Sequence, residues 1–172
     1  HSSYYRCVDD KDTKCVVTVH DFTYERYMSG LRRYVHCKQK YEAINNADVV
    51  VCVSENTRKD LLHYIPNITE DKIRVVNNGV SNDFYKLEGV TRSDRLLYVG
   101  SRAKYKNFDF LVESISETSY CLDICGAPLS IKEQEYLNRK LGINRYNVYS
   151  NVDNDILNEL YNQAKCLIYP SS

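Results

Sequence analysis

Short continuous apolar runs alternate along this chain with longer stretches in which apolar positions recur every three or four residues. The short runs fall at 15–20 (Cys-Val-Val-Thr-Val-His), 48–53 (Asp-Val-Val-Val-Cys-Val), 73–77, 95–100 (Arg-Leu-Leu-Tyr-Val-Gly), 120–125, 146–149 and 166–169. They are rich in β-branched residues and mostly lack polar alternation, which predicts strands covered on both faces. Between them the period is helical. Leu31, Tyr34, Cys37, Tyr41 and Ile44 form one stripe within a helix expected over 25–46. Phe108, Leu111, Val112 and Ile115 form a second, and Ile156, Leu157, Leu160, Tyr161 and Ala164 a third. Helix starts are marked by Ser54, by the capping box Ser130-x-x-Glu133, and by Asp153. The order reads β-α-β-α-β and then β-α-β-α-β-α-β, which predicts parallel sheets with crossover helices.

The alternation breaks once. After the run at 73–77 come Asn78-Gly79, a turn signal, and a polar stretch over 81–94 with no helical stripe. A junction between two α/β units is therefore expected near 86–94, giving units 1–86 and 87–172. With 172 residues and 43% hydrophobic positions the chain can bury a real core. Its 23 basic and 23 acidic residues cancel, which argues against a nucleic-acid binder. The apolar runs are far too short to span a bilayer, which takes roughly 18 residues. Seven cysteines, at 7, 15, 37, 52, 121, 125 and 166, form no Cys-x-x-Cys pair and have no histidine at ligand spacing, so no zinc site is expected. Cys52, Cys121, Cys125 and Cys166 lie within apolar runs and read as small hydrophobes in a reducing compartment.

Ligands of open parallel α/β sheets bind at the carboxyl ends of the strands, and three such ends carry suggestive residues. His20-Asp21 closes the first strand. A histidine there either donates to a substrate hydroxyl or is bonded within its own loop, and the residues alone leave both open. Gly100-Ser101-Arg102-Ala103-Lys104-Tyr105-Lys106 leads from the fourth strand to a helix start at about Asn107. Residues 90–108 hold five basic side chains and one acidic. A glycine, cations and a helix N-terminus suit a phosphate or diphosphate, as does a loop that is merely solvated. The pattern is neither Gly-x-Gly-x-x-Gly nor a P-loop, so a nicotinamide-dependent oxidoreductase is disfavoured. Gly126, before Ala127-Pro128, ends the fifth strand and reads as a turn.

In order, these pieces resemble the retaining GT-B glycosyltransferases of family 4. The segments VVTVHDFTYERY (16–27), ADVVVCVSENTRKDLL (47–62) and IRVVNNGVSNDFY (73–85) are similar to parts of that family's N-terminal domain. LLYVGSRAKYKNFDFLVESI (96–115), LDICGAPLS (122–130) and NELYNQAKCLIYPSS (158–172) are similar to units of its donor domain. The family's donor-sugar Glu motif follows a segment like Ile168-Tyr169-Pro170-Ser171, and this chain ends at Ser172. The resemblance therefore implies a central piece of an enzyme: the later part of an acceptor-side Rossmann-like domain over 1–86 and the earlier part of a donor domain over 87–172.

The resemblance also implies roles. Gly100, Arg102 and Lys106 would hold the donor diphosphate without a metal or other cofactor, and His20 would contact the transferred sugar. Gly126 with Ser150-Asn151-Val152 would cradle the nucleotide base. The implied activity is retaining, hexosyltransferase-type transfer from a nucleotide-sugar to a glycan or lipid-linked acceptor, in bacterial O-antigen, capsule or lipopolysaccharide synthesis. Its implied place is the cytoplasm, at the inner face of the membrane. Without the Glu motif this chain alone is expected to be inactive. A non-catalytic nucleotide-binding or interaction module of the same fold is the alternative. Arg26, Arg32, Arg33, Lys38 and Lys40 accompany the stripe of the helix over 25–46. They read either as the solvated face of an ordinary helix or as a peripheral membrane contact.

Overall fold

The structure is a computed structural model and describes residues 1, 5 and 12–171; Cys7 and Ser172 lie outside them. The chain forms two compact units, His1–Gly79 and Val80–Ser172.

The first unit carries a parallel sheet of three strands, β1 (Val16–Val19), β2 (Val49–Cys52) and β3 (Ile73–Val75), in the order β1-β2-β3. Between them lie α1 (Thr23–Tyr27), α2 (Gly30–Asn46) and α3 (Glu55–Tyr64). Val17, Val19, Val50, Cys52, Ile44, Ala43, Leu61 and Phe22 make its core. The helix expected over 25–46 is two helices. Met28 and Ser29 are extended, and Gly30, at φ +75°, takes a conformation that L side chains rarely adopt, so the helical ladder restarts there. The stripe on α2 is buried only at its C-terminal end. Lys40, Ala43 and Ile44 are buried, whereas Leu31 and Tyr34 are 77% and 65% exposed.

The second unit carries β4 (Arg95–Val99), β5 (Cys121–Cys125), β6 (Tyr146–Tyr149) and β7 (Cys166–Leu167), all parallel, in the order β6-β5-β4-β7. The helices are α4 (Phe108–Ser116), α5 (Ile131–Lys140) and α6 (Asn154–Gln163). The clean stripe of α4 packs on Tyr98, Leu122 and Ile124, with Leu137 of α5 completing the cluster. Ser130 and Asp153 cap α5 and α6 as their sequence positions suggest, and Ser130 forms the full capping box with Glu133. Not every strand is covered on both faces: β7 is shorter than expected and exposed.

The chain divides between Gly79 and Val80 rather than near 86/87. The segment expected to be the junction is bonded to α6. Tyr85 N–H donates to Asn158 Oδ1 at 3.1 Å, Leu87 N–H to Asn162 Oδ1 at 2.9 Å, and Ser93 N–H to the Gln163 carbonyl at 2.8 Å. Asparagine side chains supply the partners that a crossover helix would have given this backbone internally. Pattern reading detects stripes of apolar residues and overlooks such a polar docking.

Candidate functional site

The parallel register of the second sheet sets three loops side by side. Val99 pairs with Cys125, and Cys125 with Tyr149. Gly100, Gly126 and Ser150 therefore follow one another across the carboxyl edge of β4, β5 and β6. Gly100 N–H donates to the Cys125 carbonyl at 2.9 Å and Gly126 N–H to the Tyr149 carbonyl at 3.0 Å, extending both ladders by one bond. Gly126 has to be glycine: a Cβ there would lie 2.5 Å from the Gly100 carbonyl oxygen. Gly100 itself sits at φ +134°. After β6, Asn151 turns the chain at φ 56°, while Val152 packs its side chain with Leu97, Cys125 and Leu160. Gly126, Ser150, Asn151 and Val152, the residues expected to cradle the base, are thus neighbours at one sheet edge.

The two cations of the loop after Gly100, Arg102 and Lys106, have different partners. Arg102 is nearly buried, at 7% side-chain exposure, and is held on all three nitrogens. Nε donates to Glu133 Oε1 at 2.7 Å, Nη1 to the Ala127 carbonyl and Nη2 to the Pro128 carbonyl, both at 2.9 Å. The Arg102 guanidinium, aided by the Ser130 N–H and hydroxyl, pulls the Glu133 carboxyl down to about 2 against desolvation. Lys106 instead donates to the Tyr169 hydroxyl and lies 4.4 Å from the centre of that ring. Tyr169 in turn sits on the Gly100 side of the edge. The five basic residues of 90–108 do not act as one patch, since Arg95 lies at the opposite end of β4 and binds Asp123 at 2.7 Å.

The start of α4 lies in the same loop. Asn107 takes a left-handed conformation at φ 51° and makes no side-chain cap, because its amide donates to the Pro170 carbonyl at 2.9 Å. Helices α3, α5 and α6 each have a side-chain cap. The N-terminal N–H groups of α4 are left with no such cap, which favours an anion.

In the first unit, His20 follows β1 and is exposed; its imidazole makes no hydrogen bond among the described residues. Its loop is tied down instead. Thr57 Oγ1–H donates to the His20 carbonyl at 3.2 Å, Lys40 Nζ to the Asp21 carbonyl at 2.6 Å, and the Asp21 carboxylate accepts from Thr23 N–H at 2.9 Å. Lys40 is not on a solvated basic face: its side chain is 1% exposed and lies beside that of Glu25, 0% exposed.

Three partners escape a reading of the sequence. Glu133 is legible as a capping-box residue but not as the counter-ion of Arg102, which is 31 positions away. Tyr169 and Lys106 are separated by 63 positions. Lys40 carries only a weak signal, a lysine one position before Tyr41 on the apolar stripe.

Residues 1–84 match the sequence family described as Glycosyltransferase Family 4. No curated protein matches the chain. Among solved structures, sucrose-phosphate synthase from Thermosynechococcus elongatus is 17% identical with a TM-score of 0.74, over 91% of this chain and 44% of that one. WaaG, a glycosyltransferase involved in lipopolysaccharide biosynthesis, is 15% identical with a TM-score of 0.72, over 91% and 50%. HepE from Anabaena, solved with UDP and glucose, is 15% identical with a TM-score of 0.70, over 91% and 46%. The chain thus spans half or less of the length of these structures. Residues 1–84 carry the Glycosyltransferase Family 4 pattern, and the two units have the parallel α/β fold of the GT-B glycosyltransferases.

Proposed function

We propose that this chain supplies the donor-diphosphate and nucleotide-base loops, together with a sugar-facing histidine, of a glycosyltransferase using a nucleotide-sugar donor. The observation that carries the reading is the edge formed by Gly100, Gly126 and Ser150. There the ends of adjacent strands follow one another, and the loop after Gly100 carries Lys106 and leads to the N-terminus of α4, which has no side-chain cap. Transfer leaves an electron pair and growing negative charge on the departing nucleoside diphosphate. A fixed ammonium and helix N–H groups aimed at that charge lower the barrier without a metal. Lys106 exchanges a phenol oxygen for a phosphate oxygen at small cost, whereas Arg102 must first release Glu133. Arg102 therefore joins the diphosphate as the second cation only with some rearrangement of its loop. Gly126, Ser150, Asn151 and Val152 offer backbone to the base, and His20 faces the transferred sugar.

The finer reading is retaining transfer of a hexose to a glycan or lipid-linked acceptor in bacterial surface-polysaccharide synthesis, in the cytoplasm. The involvement of WaaG in lipopolysaccharide biosynthesis supports the acceptor class. Peripheral membrane contact belongs to the same proposal. Leu31, Tyr34 and Val35 are exposed on α2 among Arg32 and Arg33, the composition of an interfacial helix. Among the described residues no helix is long and apolar enough to cross a membrane. Salt-sensitive cosedimentation of the intact protein with anionic vesicles is expected, and no binding at low salt would remove that contact.

The deciding experiment is calorimetry on the intact protein with nucleosides and nucleoside diphosphates. Lys106→Ala is expected to weaken the diphosphate by about tenfold to a hundredfold, from a lost charge-assisted bond worth roughly 1.5–3 kcal/mol, and to leave the nucleoside nearly unchanged. Equal losses for both ligands would refute the phosphate role.

A further inference from the structure

We infer that Lys40, with Glu25 as its counter-ion and Thr57 as its assistant, is a positioning residue that fixes the His20–Asp21 turn and presents the His20 imidazole outward. The inference rests on the sugar-facing role proposed for His20.

A lysine and a glutamate this deeply buried are expensive. Each ion loses its hydration, and a pair of well-packed apolar residues of similar volume would commonly stabilise the fold as well or better. Lys40 Nζ lies 3.1 Å from Glu25 Oε1 and donates to Oε2 at 3.2 Å, with the Phe22 ring centre 3.7 Å away. Its shortest bond goes to neither. It is the 2.6 Å donation to the Asp21 carbonyl. A leucine pair could fill the same space but could not bond that carbonyl in one direction. What the ion pair adds over an apolar core is therefore the orientation of this turn. Burial pushes the Lys40 pKa below its ordinary value, and the Glu25 carboxylate opposes that shift.

The neighbouring peptide groups are tied in the same way. The His20 carbonyl accepts from Thr57 of α3 at 3.2 Å, and Thr57 is itself locked by Ser54, whose Oγ lies 3.0 Å from both its N–H and its hydroxyl. The Tyr5 phenol, its ionisation pushed up to about 12 mainly by burial and then by Asp21 and Glu25, takes a hydrogen bond from the His20 backbone. Asp21 holds Thr23 N–H at 2.9 Å. Backbone on both sides of His20 is thus anchored by side chains of other elements, while the exposed imidazole makes no hydrogen bond among the described residues. A turn held this firmly around one free side chain is preorganisation: a displacement of about 1 Å in such a group can cost a hundredfold in rate.

The test uses the intact protein and four variants: Lys40→Met combined with Glu25→Leu, Thr57→Val, Thr57→Ser and His20→Ala. Amide hydrogen exchange, turnover, nucleoside diphosphate affinity and melting temperature are measured for each. In the paired variant, exchange at amides 20–23 is expected to rise about tenfold while β2 and β3 keep their protection. Turnover is expected to fall by about tenfold to a hundredfold with nucleoside diphosphate affinity unchanged. Thr57→Val should repeat this in milder form, and Thr57→Ser, which keeps the hydroxyl, should restore it. Unchanged exchange and turnover in the paired variant, against an inactive His20→Ala, would overturn the positioning role alone. Full turnover in His20→Ala would overturn the sugar-facing reading and, with it, the purpose of the anchoring. Should the paired variant fail to fold, the contrast between Thr57→Val and Thr57→Ser decides, equal turnover in the two being the overturning result.

Discussion

A methyl group on Gly126 would sit 2.5 Å from the Gly100 carbonyl oxygen, and both of those positions are backbone that no rotamer change can relieve. Gly126→Ala is therefore expected to cost about 1–3 kcal/mol by forcing the two loops apart, and to weaken nucleoside and nucleoside diphosphate alike. Thermal melting and calorimetry check the two halves of that outcome. Glu133 gives a pH-dependent counterpart. Its folded-state pKa lies near 2 against an ordinary 4.5, so its pairing with Arg102 stabilises the fold above the unfolded value and is lost as pH falls towards 2. Glu133→Gln should accordingly be less stable than the parent at pH 7. The gap should close progressively between about pH 4.5 and 2, because the protonated parent then resembles the amide. A gap constant with pH would deny the ion pair its role. His20→Ala is expected to lower turnover far more than nucleotide affinity, with melting temperature unchanged. At this scale a glycine at a strand end, a capping box and a histidine after a strand are all visible in the sequence. That Arg102 spends its nitrogens on Glu133 and two carbonyls is not, because the partners come from another βα unit.

Helix α2 shows what periodicity can and cannot determine. The stripe of Leu31, Tyr34, Cys37, Tyr41 and Ile44 fixes a helix, but a stripe does not say how far along its length the sheet reaches. Ile44 is fully buried and Leu31 is 77% exposed, on one predicted face. Ile44→Ala is therefore expected to destabilise the first unit by about 2–5 kcal/mol, and Leu31→Ala by less than about 0.5 kcal/mol. Denaturant titration of the two variants tests this, and similar losses would mean that α2 is buried along its whole length. Lys40 teaches the complementary lesson. Counted with its neighbours it reads as a solvated cation, yet a turn of α1 places Glu25 and the Asp21 carbonyl at its tip. Burial of a charge is decided by a partner 15 and more positions away, not by the residues beside it.

Across the whole molecule each unit has its own apolar cluster, one built on Val17, Val50 and Leu61, the other on Tyr98, Leu122 and Leu137. Leu137→Ala is expected to cost about 2–5 kcal/mol. It should lower hydrogen-exchange protection in β4, β5 and β6 while leaving that of β1 and β2 unchanged; uniform loss across both sheets would contradict separate cores. The sequence by itself determined the alternation of strands and helices, the parallel sheets, the helix caps and the presence of two units. These follow from local periodicity and from side chains bonding to backbone within a few positions. The tertiary structure alone decided the division at Gly79 rather than near 86, since Asn158 and Asn162 capture the backbone of 85–87. It alone decided which lysine is buried and which loop cation is paired with a carboxylate beside the strand ends. Hydrogen bonds and ion pairs between elements depend on register and packing. No spacing along the chain encodes them before the sheet has formed.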